Sequence, residues 1–228
     1  MDGKVVMFIH EKIEIGYDDL KVETKSSGRK YITPDGEAYP SITTVLGVLS
    51  ADSIAAWRAR VGDVEANKIS LKATTRGTAV HDLVEKYLDN EELPKVMPHV
   101  MASLSNLKPS LSRIGKIFAQ EAPLYSKHLG VAGRVDCVGL YDGVPSIIDF
   151  KTSKKPKKRE WVTSYFMQEA AYAIMWEERT GMPITNLVTI MDIDNEEPMV
   201  YIEHRDNWTA KLKETIELYH LKQRQRPL

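Results

Sequence analysis

Two aspartates and a lysine, Asp136, Asp149 and Lys151, lie on two apolar runs, residues 131–140 and 146–152. Between the runs sits Asp142-Gly143, a dipeptide that favours a tight two-residue hairpin loop because both central positions need positive φ. With that loop, cross-strand partners have numbers summing to 285, so Asp136 directly opposes Asp149. Opposed residues share a face, with Cβ atoms roughly 4.5–5.5 Å apart. Lys151 is two residues beyond Asp149 and falls on the same face. Two facing carboxylates repel unless a cation lies between them or one is protonated. In a hairpin otherwise built of Val, Ile, Leu and Gly, that pattern points to a metal-dependent site. The plainer reading is the polar side of an edge hairpin. The spacing alone does not choose, since the same [DE]-x-K pattern recurs at Asp2–Lys4, Asp19–Lys21 and Glu23–Lys25.

Other elements must bring partners to this hairpin. Residues 74–89 show the clearest helical stripe, with Val80, Leu83, Val84, Tyr87 and Leu88 at i, i+3, i+4, i+7 and i+8. Thr74 or Thr75 would cap it. His81 falls at the edge of the stripe, where it serves either as a structural histidine or as a ligand, and Gly77 one turn earlier leaves it uncovered. Arg76 near the expected helix start either meets a phosphate or is a surface arginine. A strand is expected in residues 114–127, with Glu121 near its start, either extending the acidic cluster or exposed. Residues 160–179 form a second, largely buried helix on which Gln168 and Tyr172, at i and i+4, share a face. They either line the site or satisfy each other structurally, since a buried unpaired amide is costly. Between hairpin and helix runs Lys154-Lys155-Pro156-Lys157-Lys158-Arg159, a solvated loop or a phosphate-binding one.

The remaining chain reads as β-rich over residues 1–40, with an apolar run at 5–9 and a turn at Pro34-Asp35-Gly36. Short helices are expected at 41–49 and 54–61, the latter placing Trp57 in the core or facing nucleic acid. Residues 90–110, with Pro94, Pro98 and Pro109, look like a connection containing a helical piece. A hairpin over 187–204 turns at Asp194-Asn195, where Asp192, Asp194, Glu196 and Glu197 read as a solvated turn. A terminal helix, 206–223, would bury Trp208, Leu212, Ile216 and Tyr219 and fray at Lys222, Arg224 and Arg226.

Composition bounds the function. The 228 residues, 43% hydrophobic and 28% charged, suit one domain, 1–228, with a β-rich segment at 1–40 and a core with its C-terminal helix at 41–228. The net charge of −1 gives no global basic field, so nucleic acid would need a local patch. The single cysteine, Cys137, excludes a disulfide framework or a four-cysteine cluster within the chain and fits a reducing compartment. No apolar run reaches membrane-spanning length, and no signal or transit peptide is evident, so a cytoplasmic protein, bacterial or phage-encoded before mitochondrial, is expected.

Taken in order, His81, Gly133-Arg134-Val135-Asp136, Asp149-Phe150-Lys151-Thr152 and Gln168-x-x-x-Tyr172 resemble the RecB-like branch of the PD-(D/E)xK nuclease superfamily. The likeness is nearest to mitochondrial genome maintenance exonucleases and their phage relatives. Tyr39-Pro40-Ser41-Ile42-Thr43-Thr44-Val45-Leu46 and Arg76-Gly77-Thr78 also resemble that group, and the resemblance covers about residues 39 to 204. The chain departs from it with Val135 in place of proline, and with too few cysteines for the iron–sulfur cluster of many relatives. It also has no phosphate-loop motif, so no ATP-driven motor is expected.

The resemblance implies an α/β, restriction-endonuclease-like core with a mixed central sheet flanked by helices. It implies a DNA exonuclease acting on single-stranded DNA with a free end, with a structure-specific endonuclease or an inactive DNA-binding protein as rivals. Asp136, Asp149, His81 and the Phe150 backbone carbonyl, with Glu121 as a possible addition, would hold Mg²⁺ or Mn²⁺. Lys151 would stabilise charge and orient water, and Gln168 and Tyr172 would position substrate. DNA contacts are expected from Trp57, Arg76, Thr78, Arg134, Thr152, Lys154, Lys155, Lys157 and Lys158. No membrane partner is implied, and the oligomeric state is left open.

Overall fold

The structure is a computed structural model and describes residues 7–25 and 27–225. Arg226 and the first residues of the 5–9 run lie outside them. Four short strands lead: β1 (Ile9–His10), β2 (Lys21–Lys25), β3 (Gly28–Ile32) and β4 (Ala38–Pro40). Helices α1 (Ile42–Leu46), α2 (Ala51–Val61), α3 (Asp63–Leu88) and α4 (Pro98–Leu111) follow. Next come the long strands β5 (Ile114–Ser126), β6 (Val131–Tyr141) and β7 (Val144–Ser153). Helix α5 (Thr163–Thr180), strands β8 (Asn186–Ile193) and β9 (Glu196–His204), and helix α6 (Asp206–Arg224) complete the described chain.

Turn chemistry organises the centre. Asp142 and Gly143 have φ of 50° and 80°, the doubly positive pair the tight loop requires. The register this loop dictates runs from Tyr141 opposite Val144 to Cys137 opposite Ile148. Strand order in the main sheet is β1-β5-β6-β7-β8-β9. The β1–β5 and β7–β8 pairs are parallel and the others antiparallel, which makes the sheet mixed. Side-chain alternation splits its hydrophobic residues between two cores. Val138 and Ile147 pack with Phe166, Ala170 and Trp176 of α5 and Leu212 of α6. Cys137 and Ile148 pack with Val80, Leu83 and Val84 of α3 and Leu104 and Leu107 of α4. The sheet is therefore flanked by helices on both faces, as expected. A separate antiparallel sheet, β2-β3-β4, stands beside it.

Several expectations need correction. Helix α3 starts at Asp63, so Thr74 and Thr75 lie inside it and cap nothing. Its first half is exposed apart from buried Ala66 and half-buried Ile69 and carries no apolar stripe, so periodicity alone could not reveal it. Glu121 lies in the middle of β5 and not near its start. Asp192 is not in a solvated turn. It is buried and ion-paired to Arg76 at 2.7 Å, with Asn106 Nδ2 donating to it at 2.9 Å. Arg76 also pairs with Asp194, so this arginine ties α3 to the β8–β9 turn.

Removing the guanidinium would leave the Asp192 charge buried with only the Asn106 amide, and breaking a buried pair is strongly destabilising. Arg76→Met should lower unfolding free energy by about 3 kcal/mol, measured by urea denaturation. A loss below ~1 kcal/mol would show that the pair is not what holds the turn.

Candidate active site

Beyond Cys137 and Ile148 the β6–β7 ladder ends. Strand β6 continues along β5, and β7 continues along β8. The sheet forks, and Asp136 stands at the fork. Its Oδ2 accepts the Phe150 backbone N–H at 2.8 Å, so the amide freed by the parted strands has a partner. The expected facing pair Asp136–Asp149 is thus opened by one step: Asp136 fills the gap, and Asp149 stays on the α5 side.

Three donors from three elements converge here. His81 of α3, Glu121 of β5 and Asp136 of β6 each offer a ligand atom within 4.8 Å of the others. His81 Nδ1 is 3.6 Å from Asp136 Oδ2, and its ring meets Phe150 edge-on at 6.3 Å between centroids. Glu121 reaches the fork through a φ of 45°, a left-handed conformation unusual for a residue in a strand. Such strain persists where surrounding structure enforces it, often at functional sites. Burial pushes the Glu121 carboxyl up to about 7, and the nearby Asp136 charge pushes it the same way.

Asp149 is fully buried next to these donors and is in ion-pair contact with Lys151, although no aligned hydrogen bond reaches its Oδ2. Burial raises its pKa to about 6; the Lys151 charge opposes this and Asp136 adds to it. Burial alone would lower the Lys151 pKa, but Asp149 and Asp136 outweigh it and hold the ammonium above its ordinary value. Lys151 also lies over the Tyr165 ring, 5.1 Å from its centroid. From α5, Gln168 Nε2 donates to Asp149 Oδ1 and to the Tyr172 hydroxyl, both at 3.3 Å. Tyr172 fits only because residue 133 is glycine: a Cβ there would sit 2.7 Å from Tyr172 Cε1 and 3.0 Å from its hydroxyl.

His81, Glu121, Asp136, Lys151, Gln168 and Tyr172 all line one cleft of about 590 Å³, with Thr78 and Arg134 at its walls. Arg134 donates to the Glu121 carbonyl and pairs with Asp19 at 2.6 Å. Thr152 is half-buried near Gly77, one turn before His81. Lys154, Lys155 and Lys158 are exposed on the loop after β7, Lys157 is half-buried there, and Lys158 lies over Trp161. Neither Thr152 nor these loop lysines line the cleft, and two more expected DNA contacts stand elsewhere. Arg76 is held in its ion pairs, lining a different cavity, and Trp57 is half-buried on α2 away from the cleft. The cleft also includes Asp82, Glu85 and Arg29, which motif reading missed. Glu85 had a signal, standing four residues after His81 on one helix face.

No protein-family model matches the chain, and no curated protein matches it. Among solved structures, it is similar to a protein from Eubacterium rectale assigned by name as an exonuclease, at 14% identity and a TM-score of 0.44 over 64% of this chain. The match spans 65% of that protein, under two thirds of its length. It is also similar to SSO0001, at 12% identity and a TM-score of 0.46, over 81% of this chain and 76% of that one.

One more carboxyl lies against the site. Glu169 of α5 is fully buried, accepts the Thr189 hydroxyl at Oε1 and has no partner for Oε2 among the described residues. Burial raises its pKa well above the ordinary value. The unfolded chain releases this proton first, so stability falls as pH rises from about 4.5 through the folded-state pKa. Glu169→Gln cannot titrate. It should match the wild type in acid and exceed it in alkaline solution, measured as Tm against pH. Parallel profiles would refute a protonated Glu169. At the glycine, Gly133→Ala should displace Tyr172 and reduce whatever activity the cleft supports by at least ~10-fold, in steady-state assays at a temperature where the variant is shown to be folded. Full activity would mean that Tyr172 is not required in place.

Proposed function

We propose that this protein is a metal-dependent deoxyribonuclease, hydrolysing phosphodiester bonds from single-stranded DNA ends in the manner of RecB-like PD-(D/E)xK exonucleases. The observation that carries the reading is the convergence of His81, Glu121 and Asp136 beside the ion pair of buried Asp149 and half-buried Lys151. Two carboxylates and an imidazole form a hard donor set suited to Mg²⁺ or Mn²⁺. The fit has an electrostatic side: Asp82, Glu85, Glu121 and Asp136 line the cleft, and a polyanion is repelled there unless cations neutralise them. His81, Glu121 and Asp136 would hold the ion, with Asp149 and the Phe150 carbonyl as neighbouring donors. When bound, such an ion polarises the phosphate and lowers the pKa of coordinated water.

The chain's own groups do the rest. Lys151, held charged by Asp149, places an ammonium where negative charge develops on the phosphate oxygens and orients the attacking water. Gln168 fixes Asp149 through Oδ1, and Tyr172 fixes Gln168. Water oxygen bonds to phosphorus, the bond to the leaving sugar oxygen breaks, and a proton restores that hydroxyl. The exposed lysines after β7 would track the strand's phosphates. With one buried cysteine, no four-cysteine cluster forms within the chain.

End-labelled single-stranded DNA should be degraded with Mg²⁺ or Mn²⁺ and remain intact in EDTA. Asp136→Asn and Lys151→Ala should each slow cleavage by at least ~100-fold, while Asp136→Asn still binds DNA. Closed circular single strands should survive. If the circles are cut, the enzyme is an endonuclease; if the wild type binds but never cuts with either metal, it is a binding protein.

A further inference from the structure

The cleft's outer wall is the small β2-β3-β4 sheet, which contributes Val22, Arg29 and Tyr31. Arg29 and Tyr31 alternate onto one face of β3, with Thr24 and Val22 their partners on β2. The backbone at Arg29 is tied to the core. Its N–H donates to Thr44 Oγ1 at 3.2 Å, and its carbonyl accepts the Ser41 N–H at 2.8 Å. Gly28 presses so closely on Thr44 that a Cβ there would overlap its side chain. Ser41 in turn bridges Ala132 on β6, four residues before Asp136. Arg29 is therefore set in position relative to the fork although its side chain is exposed.

Three arginine or lysine side chains line the cleft: Arg29, Arg134 and Lys151. Lys151 is engaged by Asp149, and Arg134 by Asp19 and the Glu121 carbonyl. Arg29 makes no side-chain hydrogen bond or ion pair among the described residues. A fixed backbone presenting an unengaged guanidinium, beside an exposed Val22, matches one phosphate and its adjoining sugar. We propose that Arg29 binds a phosphate of the nucleic-acid strand other than the one cleaved, with Val22 against the sugar, which makes the β2-β3-β4 sheet a substrate-binding wall. This rests on the nuclease reading and adds a substrate subsite to it.

The test compares wild type, Arg29→Ala, Arg29→Lys and Lys30→Ala, the last on the opposite face of β3. Binding of a fluorescent single-stranded oligonucleotide is titrated across salt concentrations in EDTA, and steady-state cleavage is measured with Mn²⁺. Losing one phosphate contact should reduce the slope of log affinity against log salt by about 0.7. Arg29→Ala should also raise KM about tenfold with kcat within about twofold of wild type. Arg29→Lys should recover most of the slope, and Lys30→Ala should leave it unchanged. An unchanged slope and KM in Arg29→Ala, or an equal slope change in Lys30→Ala, would overturn the proposal while wild-type cleavage still upheld the nuclease. Wild type that binds but never cuts would sink the nuclease reading alone, with the slope still deciding Arg29. Wild type that neither binds DNA in EDTA nor cuts it with Mn²⁺ would overturn both.

Discussion

The site depends on the hydrogen bond from the Phe150 amide to Asp136 Oδ2. A sheet that parts leaves peptide groups without partners, and each buried one costs about 1–3 kcal/mol. Here a carboxylate from one prong of the fork satisfies an amide from the other. The opening is thereby stabilised and also lined with acid. His81 enters it from α3, Glu121 from β5 through a left-handed backbone turn, and Asp149 closes it from β7. If the ladder had continued, Phe150 would need no such partner and Asp136 would lack the room to meet His81.

The positions of these residues were legible to different depths. Asp142-Gly143 predicts its turn and the register up to Cys137 and Ile148 because both are local consequences of one loop geometry. The fork was not legible. It arises because β6 follows β5 and β7 follows β8, a choice made by neighbours distant in sequence. Glu121 could be suspected from its order before the hairpin, but its φ is a tertiary outcome. Arg76 illustrates the opposite failure. A basic residue near an expected helix start suggested a phosphate, yet its partners are Asp192 and Asp194, more than a hundred residues away. The buried half of α3 announced itself by an apolar stripe, whereas the half before residue 74 buries only Ala66 and has no stripe to read.

Burial of charge gives the α5 side its character. Asp149, Glu169 and Lys151 lie together against Gln168, Tyr165 and Tyr172. One ammonium among several carboxyls cannot neutralise them all in a low-dielectric setting, so the carboxyls compete for it. Lys151 goes to Asp149, which Gln168 also binds, while Glu169 is left with a hydroxyl and a raised pKa. The ordering keeps Lys151 charged and Asp149 oriented, and those two states are what the proposed hydrolysis would ask of them.

The same accounting of charge extends across the cleft. Four carboxyls line it, and two of its three arginine or lysine side chains are already engaged by this protein. A strand of phosphates meets a repulsive surface unless the charge is supplied from elsewhere. In the proposed function it arrives from three directions: divalent metal at the fork, lysines on the loop after β7, and Arg29 on the opposite wall. The chain's near-zero net charge is consistent with that division, since attraction confined to the path of the substrate needs no basic field over the whole molecule. If the proposed function holds, metal and nucleic acid would each favour the other's binding, because either one relieves a repulsion that the other would meet alone.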